Sequence, residues 1–372
     1  MVRFLHLADL HMGWEPSYLG DDLRTLRRRE RDGVLQKAVD YALGAEKPIH
    51  AVIIAGDLFE SHDPAVAVRD AVLLQLGRLA RSGISVVTVP GNHDEISYHN
   101  SVYRRVGDTW PGHLVTDPMP ALSCSFEASG SDVYIYSMAY TAGVSDVRSL
   151  AFPRSADPGL HIATFHGSLD WDAGERSLPL KSDALASAGY DYIALGHIHK
   201  DQVSHVGDAL AVYPGTIEAK GPNELPTGHL TVVDMTDGSA RREEIKVPVR
   251  RCTVEILDIS GADRDQVYER CRDLADADAI VQLRLQGTAG TPIDLEELET
   301  RLAPHFFHVS IRNETDFISP EALQRYADDV TVRGEFVRRM RGRLETAGDE
   351  DREVLNLALA RGLAAFERRQ DR

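Results

Sequence analysis

Five short motifs in the first 200 residues combine carboxylate, amide and imidazole side chains. In chain order they are Asp9-Leu10-His11, Gly56-Asp57, Gly91-Asn92-His93-Asp94, His166-Gly167 and Gly196-His197-Ile198-His199. Divalent cations of hard or borderline character prefer such a mixture of oxygen and imidazole nitrogen. No motif contains a cysteine, which disfavours a site for a soft metal.

This set of donors is large enough to hold two cations. In a two-metal site the ions lie roughly 3.5–4 Å apart, and a shared ligand maintains that separation. A carboxylate can serve as the shared ligand because it has two oxygens. Asp57 is the natural candidate, since its motif is expected on a central strand between the other donors. Glycines beside four of the motifs allow tight turns and a close approach to a ligand.

A buried strand is predicted just before each group of donors. Segments 24–43 and 65–81 have helical periodicity between the first strands, so the chain begins as an alternating β and α pattern. Such a pattern predicts a layered α/β domain, in which ligands bind outside the carboxyl ends of the strands. We therefore expect the motifs to converge there. The predicted strands are 2–8, 51–55, 84–89, 160–165 and 190–195.

The pattern changes after about residue 249. Alternating strand and helix signals from 252 to 311 predict a small separate α+β domain. Ser319-Pro320 is a typical helix start, and the rest of the chain is predicted to be helical. Gly348 is expected to separate two amphipathic helices. Their apolar stripes are Phe336, Met340 and Leu344, and then Leu355, Leu359, Leu363 and Phe366.

The net charge of −17 argues against nucleic acid as a partner, because phosphate contacts need local positive charge. Two observations soften this objection. Bound cations would offset the carboxylates of a metal site. Arginines also cluster within 24–31 and 333–343, although a solvated helix face explains each cluster equally well.

The chain has three cysteines, which are far apart, so neither a disulfide framework nor a cysteine-based zinc site is expected. A reducing cytoplasm fits this cysteine usage best. No run of about 18 apolar residues is present, so we expect no membrane span. The first residues lack the features of a signal peptide.

The ordered motifs resemble those of the calcineurin-like metallophosphoesterase superfamily. Within it, the chain is most similar to the SbcD-type DNA double-strand-break repair nucleases. The motifs carry the resemblance over about residues 1–235, and the remainder is similar in architecture. The resemblance implies an α/β fold with a four-layer α/β/β/α metallophosphoesterase sandwich at 1–249. A small α+β capping domain at 250–318 and a C-terminal helical tail at 319–372 would follow.

The resemblance also implies a role for each motif residue. His93 would protonate the leaving oxygen or stabilise the developing charge, and Asp94 would orient His93 or cap the turn. The cofactors would be two divalent ions, with Mn²⁺ preferred over Mg²⁺ because Mg²⁺ favours oxygen ligands. One metal would be bound by Asp9, His11 and His199, the other by Asn92, His166 and His197, with Asp57 bridging the two.

One position departs from the resemblance. Many relatives of this nuclease type have a second catalytic histidine three residues after the bridging aspartate, where this chain has Glu60. The departure puts a DNA-positioning role at that site in doubt. His62 lies nearby in the sequence and is the candidate substitute, although an ordinary loop histidine explains it better.

Three features favour DNA as the substrate. The first motif leads into an arginine-rich stretch, in which the resemblance places Arg27, Arg28 and Arg29 near DNA. An α+β module follows the catalytic domain, as in the nucleases. In relatives, the C-terminal helices pack on the coiled-coil base of an SbcC-type ATPase, and the protein usually forms a homodimer. The alternative for these helices is packing against the chain's own catalytic domain.

The predicted activity is therefore metal-dependent hydrolysis of DNA phosphodiesters in double-strand-break repair, as an exonuclease with endonuclease activity as a further option. One alternative is a phosphodiesterase or phosphatase that acts on a small nucleotide or a phosphoprotein. An alternative of another class is a weakly catalytic scaffold subunit that regulates a coiled-coil ATPase.

Overall fold

The structure is a computed structural model, and the chain forms two compact units, Met1–Arg250 and Arg251–Arg372. Each unit has its own hydrophobic core. Among the described residues, no helix combines the length and the apolar character needed to cross a membrane. The structure describes residues 1–141, 151–171, 176–236, 238–288, 293–315 and 320–367.

The first unit contains two six-stranded sheets. In the first sheet the order is β14-β13-β1-β2-β3-β4, and β1 to β4 are parallel neighbours. Its strands are β1 (Val2–Leu7), β2 (Ala51–Ala55), β3 (Ser85–Val89), β4 (His113–Leu114), β13 (His229–Thr236) and β14 (Ser239–Lys246). The helices between them are α1 (Asp21–Gly44), α2 (Val66–Arg81) and the short α3 (Val102–Val106).

The second sheet has the order β11-β12-β10-β7-β6-β5. Its central strands are parallel, and antiparallel strands form both edges. Its strands are β5 (Ala121–Ala128), β6 (Ser131–Ser137), β7 (Leu160–His166), β10 (Tyr192–Gly196), β11 (Gln202–Val206) and β12 (Ala209–Tyr213). The short strands β8 (Ser168–Leu169) and β9 (Pro179–Leu180) pair beside it, followed by α4 (Ser182–Ala188).

The two sheets pack face to face. Phe4 of β1 lies edge-on against Tyr192 of β10, with 5.3 Å between ring centroids. The buried residues of α1 and α2 join the core of the first sheet, and Leu185 of α4 joins the core of the second. The expected four-layer α/β/β/α sandwich is therefore confirmed. His6 lies fully buried between the sheets, and its ring contacts the Tyr192 hydroxyl at 2.9 Å.

No strand is predicted from the sequence between residues 94 and 160, where the described residues contain three. The β5–β6 hairpin turns at Ser129 and Gly130, whose φ values are 54° and 75°. Positive φ at both central residues is typical of the turns that match the twist of a hairpin. The signal was present, since alternating apolar residues flank this Ser-Gly pair.

The second unit begins with a three-stranded parallel sheet in the order β15-β16-β17. Helix α5 begins with a complete capping box between Asp263 and Gln266. The alternation of strand and helix is the one predicted from the sequence. The elements are β15 (Cys252–Asp258), α5 (Arg264–Arg272), β16 (Asp276–Gln286), α6 (Leu295–Leu302) and β17 (Phe306–Asn313).

Three helices follow, where the sequence predicts two: α7 (Pro320–Asp328), α8 (Val332–Thr346) and α9 (Asp349–Glu367). Ser319, the predicted cap, lies outside the described residues. Leu359 and Leu363 of α9 are buried in a small core with Val337 and Met340 of α8. The other two members of the stripe, Leu355 and Phe366, are half-buried, so binding of a partner helix by this stripe stays a prediction.

Candidate metal centre

The motif residues lie at the carboxyl ends of neighbouring strands. Asp9 and His11 follow β1, and Asp57 follows β2. His166 ends β7, and its backbone is in register with Gly196 of β10 in the second sheet. Because the two sheets pack face to face, both sets of strand ends reach the same edge of the sandwich. The remaining motif residues, Asn92, His93, His197 and His199, follow β3 and β10.

Several of these residues adopt a backbone conformation that non-glycine residues rarely occupy. The φ angles are 55° at Asp9, 47° at His11, 49° at Asp57 and 98° at His197. Such conformations persist only where the surrounding structure enforces them, and they cluster at functional sites. The backbone strain is thus concentrated at the site that the motifs predict.

Two glycines are required by close contacts within the site. A Cβ atom on Gly56, whose φ is +92°, would lie 2.1 Å from His166 Nδ1. A Cβ atom on Gly91 would lie 2.2 Å from Asp57 Oδ1. Any side chain at either position would displace a predicted ligand, which explains the glycines of these two motifs.

Asp9, His11 and His199 form one group of potential donors, with ligand atoms within 4.8 Å of one another. The Nε2 atoms of His11 and His199 are 3.1 Å apart, and Asp9 Oδ1 is 3.9 Å from His199 Nε2. Both rings therefore direct the same nitrogen toward one point, as two ligands of a single cation would.

Asn92, His166 and His197 form a second group. Asn92 Oδ1 lies 2.9 Å from both His166 Nε2 and His197 Nδ1. Burial, together with the charge of His166, lowers the pKa of His197 to about 4, so its ring is neutral at neutral pH. A neutral imidazole has a lone pair available for a metal.

Asp57 lies between the two groups. Its Oδ2 atom is 3.3 Å from His166 Nε2 and 3.7 Å from His11 Nε2, while its Oδ1 accepts a hydrogen bond of 2.8 Å from the backbone of His93. Burial lowers the pKa of His166, but the charge and hydrogen bond of Asp57, the charge of Asp9 and the Ala55 carbonyl together outweigh burial and raise this pKa to about 9. The site thus favours positive charge between these side chains, so the residues present fit divalent cations.

His93 lies beside both groups. Its Nδ1 donates to the carbonyl oxygen of Glu60 at 3.1 Å, which leaves Nε2 as the nitrogen without the proton. Its ring is edge-on to His11, with 4.7 Å between centroids, and its side chain is 31% exposed. His93 can also be grouped with His11 and Asp57 as a donor. Its assignment as a proton donor therefore stays a prediction.

Asp94 does not orient the His93 ring. Its Oδ1 accepts a hydrogen bond from Gly91 N at 2.6 Å, and its Oδ2 accepts from Phe59 N and from the Tyr103 hydroxyl. The side chain is fully buried. Its assignment as a catalytic residue is therefore corrected: Asp94 caps the turn that carries Asn92 and His93, which was the other option.

Three residues that support the first donor group were not predicted as site residues from the sequence. Glu60 Oε2 is 2.8 Å from His11 Nδ1, and Glu224 Oε1 is 2.5 Å from His199 Nδ1. Lys220 contacts both carboxylates. Glu60 was noticed only as a departure from the relatives. Lys220 and Glu224 belong to no motif, so only their position in the fold reveals them. Arg176, which donates to the carbonyl oxygen of Asn92 at 2.7 Å, was also missed.

The predicted DNA contacts are not all accessible. Arg27 is fully buried and donates to Glu218 and to the carbonyl oxygen of Ala219, so the structure contradicts a DNA contact for this residue. Arg28 and Arg29 are exposed, and contacts from them remain predictions. His62 stacks on Tyr98 with 4.1 Å between ring centroids. This stacking gives His62 a packing role. Whether His62 replaces the second catalytic histidine, which the resemblance places at position 60, stays a prediction.

Comparisons with known proteins agree with this geometry. One relative is the uncharacterized metallophosphoesterase YhaO of Bacillus subtilis, 28% identical over 249 residues, which are 65% of this chain and 59% of YhaO. Another is the DNA double-strand break repair protein Mre11 of Methanosarcina mazei, which is 22% identical over 81% of this chain and 48% of its own length. The DNA double-strand break repair protein Mre11 of Aeropyrum pernix is 28% identical over 69% of this chain and 64% of its own length. The chain thus matches about half to two thirds of the length of these relatives.

The family profile described as calcineurin-like phosphoesterase matches residues 2–201. This match covers more than half of the chain and includes all five motifs. The chain therefore belongs to the calcineurin-like phosphoesterase family, whose members are metal-dependent phosphoester hydrolases.

Proposed function

We propose that this protein is a two-metal-dependent nuclease that hydrolyses DNA phosphodiesters. The observation that carries the proposal is the position of Asp57, which has one carboxylate oxygen facing His11 of the first donor group and His166 of the second. A carboxylate placed in this way can be shared by two ions. Asp9, His11 and His199 would hold one ion, and Asn92, His166 and His197 the other.

The bound ions would neutralise charge on the phosphate and activate a water for in-line attack on phosphorus. The residues of the chain have the remaining tasks. His93, held at Nδ1 by the Glu60 carbonyl, presents Nε2; in its imidazolium form, with both ring nitrogens protonated, it would give the Nε2 proton to the leaving oxygen and return to the neutral ring. Mn²⁺ is the proposed metal, because only two of the six unshared donors, Asp9 and Asn92, offer oxygen, whereas Mg²⁺ prefers oxygen ligands.

DNA as the substrate rests on the relatives named for DNA double-strand break repair. Their match extends over 81% of this chain for the Methanosarcina mazei protein, well beyond the catalytic unit. Exposed Arg28 and Arg29 would contact the phosphate backbone. The proposed partner is an SbcC-type coiled-coil ATPase, and homodimerisation is proposed with it.

A small phosphodiester is the second candidate substrate. Two observations favour it: the net charge is −17, and Arg27 is buried instead of exposed to a nucleic acid. The similar protein YhaO is described only as a metallophosphoesterase.

The test compares end-labelled single- and double-stranded DNA with bis(p-nitrophenyl) phosphate, a small diester, in the presence of Mn²⁺. Asp57→Asn is the control for the metal site. DNA cleavage that is lost in the control supports the nuclease and reveals which end is attacked. Cleavage of the small diester alone would keep the metal site and reject DNA as the substrate of the isolated chain. Cleavage of neither substrate would overturn the proposal.

A further inference from the structure

The two histidines of the first donor group have similar surroundings. Each directs Nε2 into the site, where the two Nε2 atoms are 3.1 Å apart. The other ring nitrogen of each faces a carboxylate: Nδ1 of His199 lies 2.5 Å from Glu224, and Nδ1 of His11 lies 2.8 Å from Glu60. Both rings therefore have a negative charge on the side away from the expected cation.

One residue connects these two carboxylates. The backbone nitrogen of Lys220 donates to Glu224 Oε2 at 2.7 Å, and its side-chain Nζ donates to Glu60 Oε2 at 2.7 Å. The side chains of Lys220, Glu60 and Glu224 are only 18%, 29% and 23% exposed. Solvent and salt screen partly buried charges less than exposed ones, so these contacts can fix side-chain positions.

We propose that Glu60, Lys220 and Glu224 form a clasp that keeps the Nδ1 proton on His11 and His199, so that both rings offer Nε2 to the same cation. A carboxylate on the outer nitrogen of a ligand histidine fixes the tautomer and makes the inner nitrogen a stronger ligand. The inference deepens the proposed function and rests on it, because it assumes that this donor group binds a metal. These three residues are positioning residues, since the proposal has them act through the rings of His11 and His199.

The clasp also explains the departure at position 60. In many relatives of this nuclease type a histidine stands there, whereas this chain uses the Glu60 carboxylate to support His11 and the Glu60 carbonyl to hold His93. A side-chain substitution at position 60 therefore removes the carboxylate of the clasp but keeps the carbonyl oxygen that accepts from His93 Nδ1. His93 is left as the histidine that serves the leaving group.

The first measurement is isothermal titration calorimetry of Mn²⁺ into the metal-free full chain. Glu224→Ala and Glu60→Ala should each weaken one of two Mn²⁺ sites by about 10–100-fold and leave the other unchanged. Glu224→Gln and Glu60→Gln, which keep an acceptor oxygen but lose the charge, should lie between wild type and alanine. Glu335→Ala is the matched control, because Glu335 also pairs with cations but lies in the second unit.

The second measurement is ¹⁵N nuclear magnetic resonance of labelled histidines in the metal-free protein. In the wild type, His11 and His199 should carry their proton on Nδ1, and Glu224→Ala should let His199 populate the other tautomer. A merely structural role for Glu224 would not change the tautomer. Thermal unfolding of each variant verifies that it is folded, and the glutamine variants replace any alanine variant that is not.

The outcomes of these measurements distinguish failure of the clasp from failure of the proposed function. Wild-type protein that binds two Mn²⁺ ions, with unchanged affinities and tautomers in all four variants, would overturn the clasp and leave the proposed function intact. Wild-type protein that binds no Mn²⁺ would overturn the proposed function and the clasp together. Selective loss of one site with a changed tautomer supports both.

Discussion

The two donor groups of this site have similar ligands but are held in different ways. His11 and His199 are supported by side-chain carboxylates and a lysine on a half-buried side of the site. His166 is fully enclosed, and its Nδ1 donates to the backbone carbonyl oxygen of Ala55 at 2.9 Å while Gly56 packs directly against the ring.

This difference shows that one ligand type can be oriented by two kinds of force. A charged network adjusts the basicity of the ligand and can tolerate small movements. A buried backbone contact fixes the position of the ring, because any added atom meets close-packed neighbours. We therefore expect substitutions in the first group to change metal affinity and substitutions in the second to change folding stability.

The largest effect is expected from Asp57→Asn, because the Asp57 carboxylate faces histidines of both groups and is the proposed bridging ligand. The variant should lose both Mn²⁺ ions, and kcat/KM should fall by on the order of 10³-fold or more, since metal stabilisation contributes several kcal/mol. Calorimetry and hydrolysis of a small diester measure the two effects. An Asp57→Asn variant that retains one ion at full affinity would show that the carboxylate belongs to a single group.

His93→Ala should leave both groups intact and lower kcat by about 10²–10⁴-fold, the usual contribution of a positioned proton donor. Mn²⁺ titration and steady-state kinetics of the same preparation test this. Loss of a metal ion in this variant would place His93 among the ligands, a role that its position near His11 and Asp57 allows.

Gly56→Ala should destabilise the fold by about 2–5 kcal/mol, because the new methyl group meets His166 and the residue has a positive φ. Gly83→Ala is the matched control: its φ is +78°, and its Cβ would have no atom within 4 Å. The control should cost only about 1 kcal/mol of conformational strain. Urea unfolding measures both variants, and equal midpoints would show that the ring of His166 is not confined by the backbone.

The smallest effect is expected from Arg176→Ala. Arg176 donates one hydrogen bond to the Asn92 carbonyl oxygen from an exposed position, so it is a peripheral support of the second group. Its loss should weaken one Mn²⁺ site by less than about tenfold, because water competes for an exposed hydrogen bond and a typical one contributes only about 0.5–1.5 kcal/mol net. A loss as large as that of Glu224→Ala would show that both groups depend on charged supports. Arg69→Ala is the control, because Arg69 pairs with Asp70 on α2 and belongs to neither donor group.

The sequence by itself determined the chemistry of the site. The donor types, their order and their place after buried strands follow from local patterns, because strand burial and tight turns are encoded within a few residues. The same alternation predicted a layered α/β domain, and the resemblance of the ordered motifs to a known family implied its four-layer form. The β5–β6 hairpin was missed although Ser129-Gly130 carried a local signal.

The tertiary structure alone decided which side chains support those donors. Glu60 and Lys220 are 160 positions apart in the chain, and nothing in either local pattern shows that they meet. Arg27 is of a residue type that usually lies on the surface, yet it is buried, and Glu218 pairs with it in the fold. Contacts of this kind depend on how the sheets and loops pack, so they appear only when the whole domain is assembled.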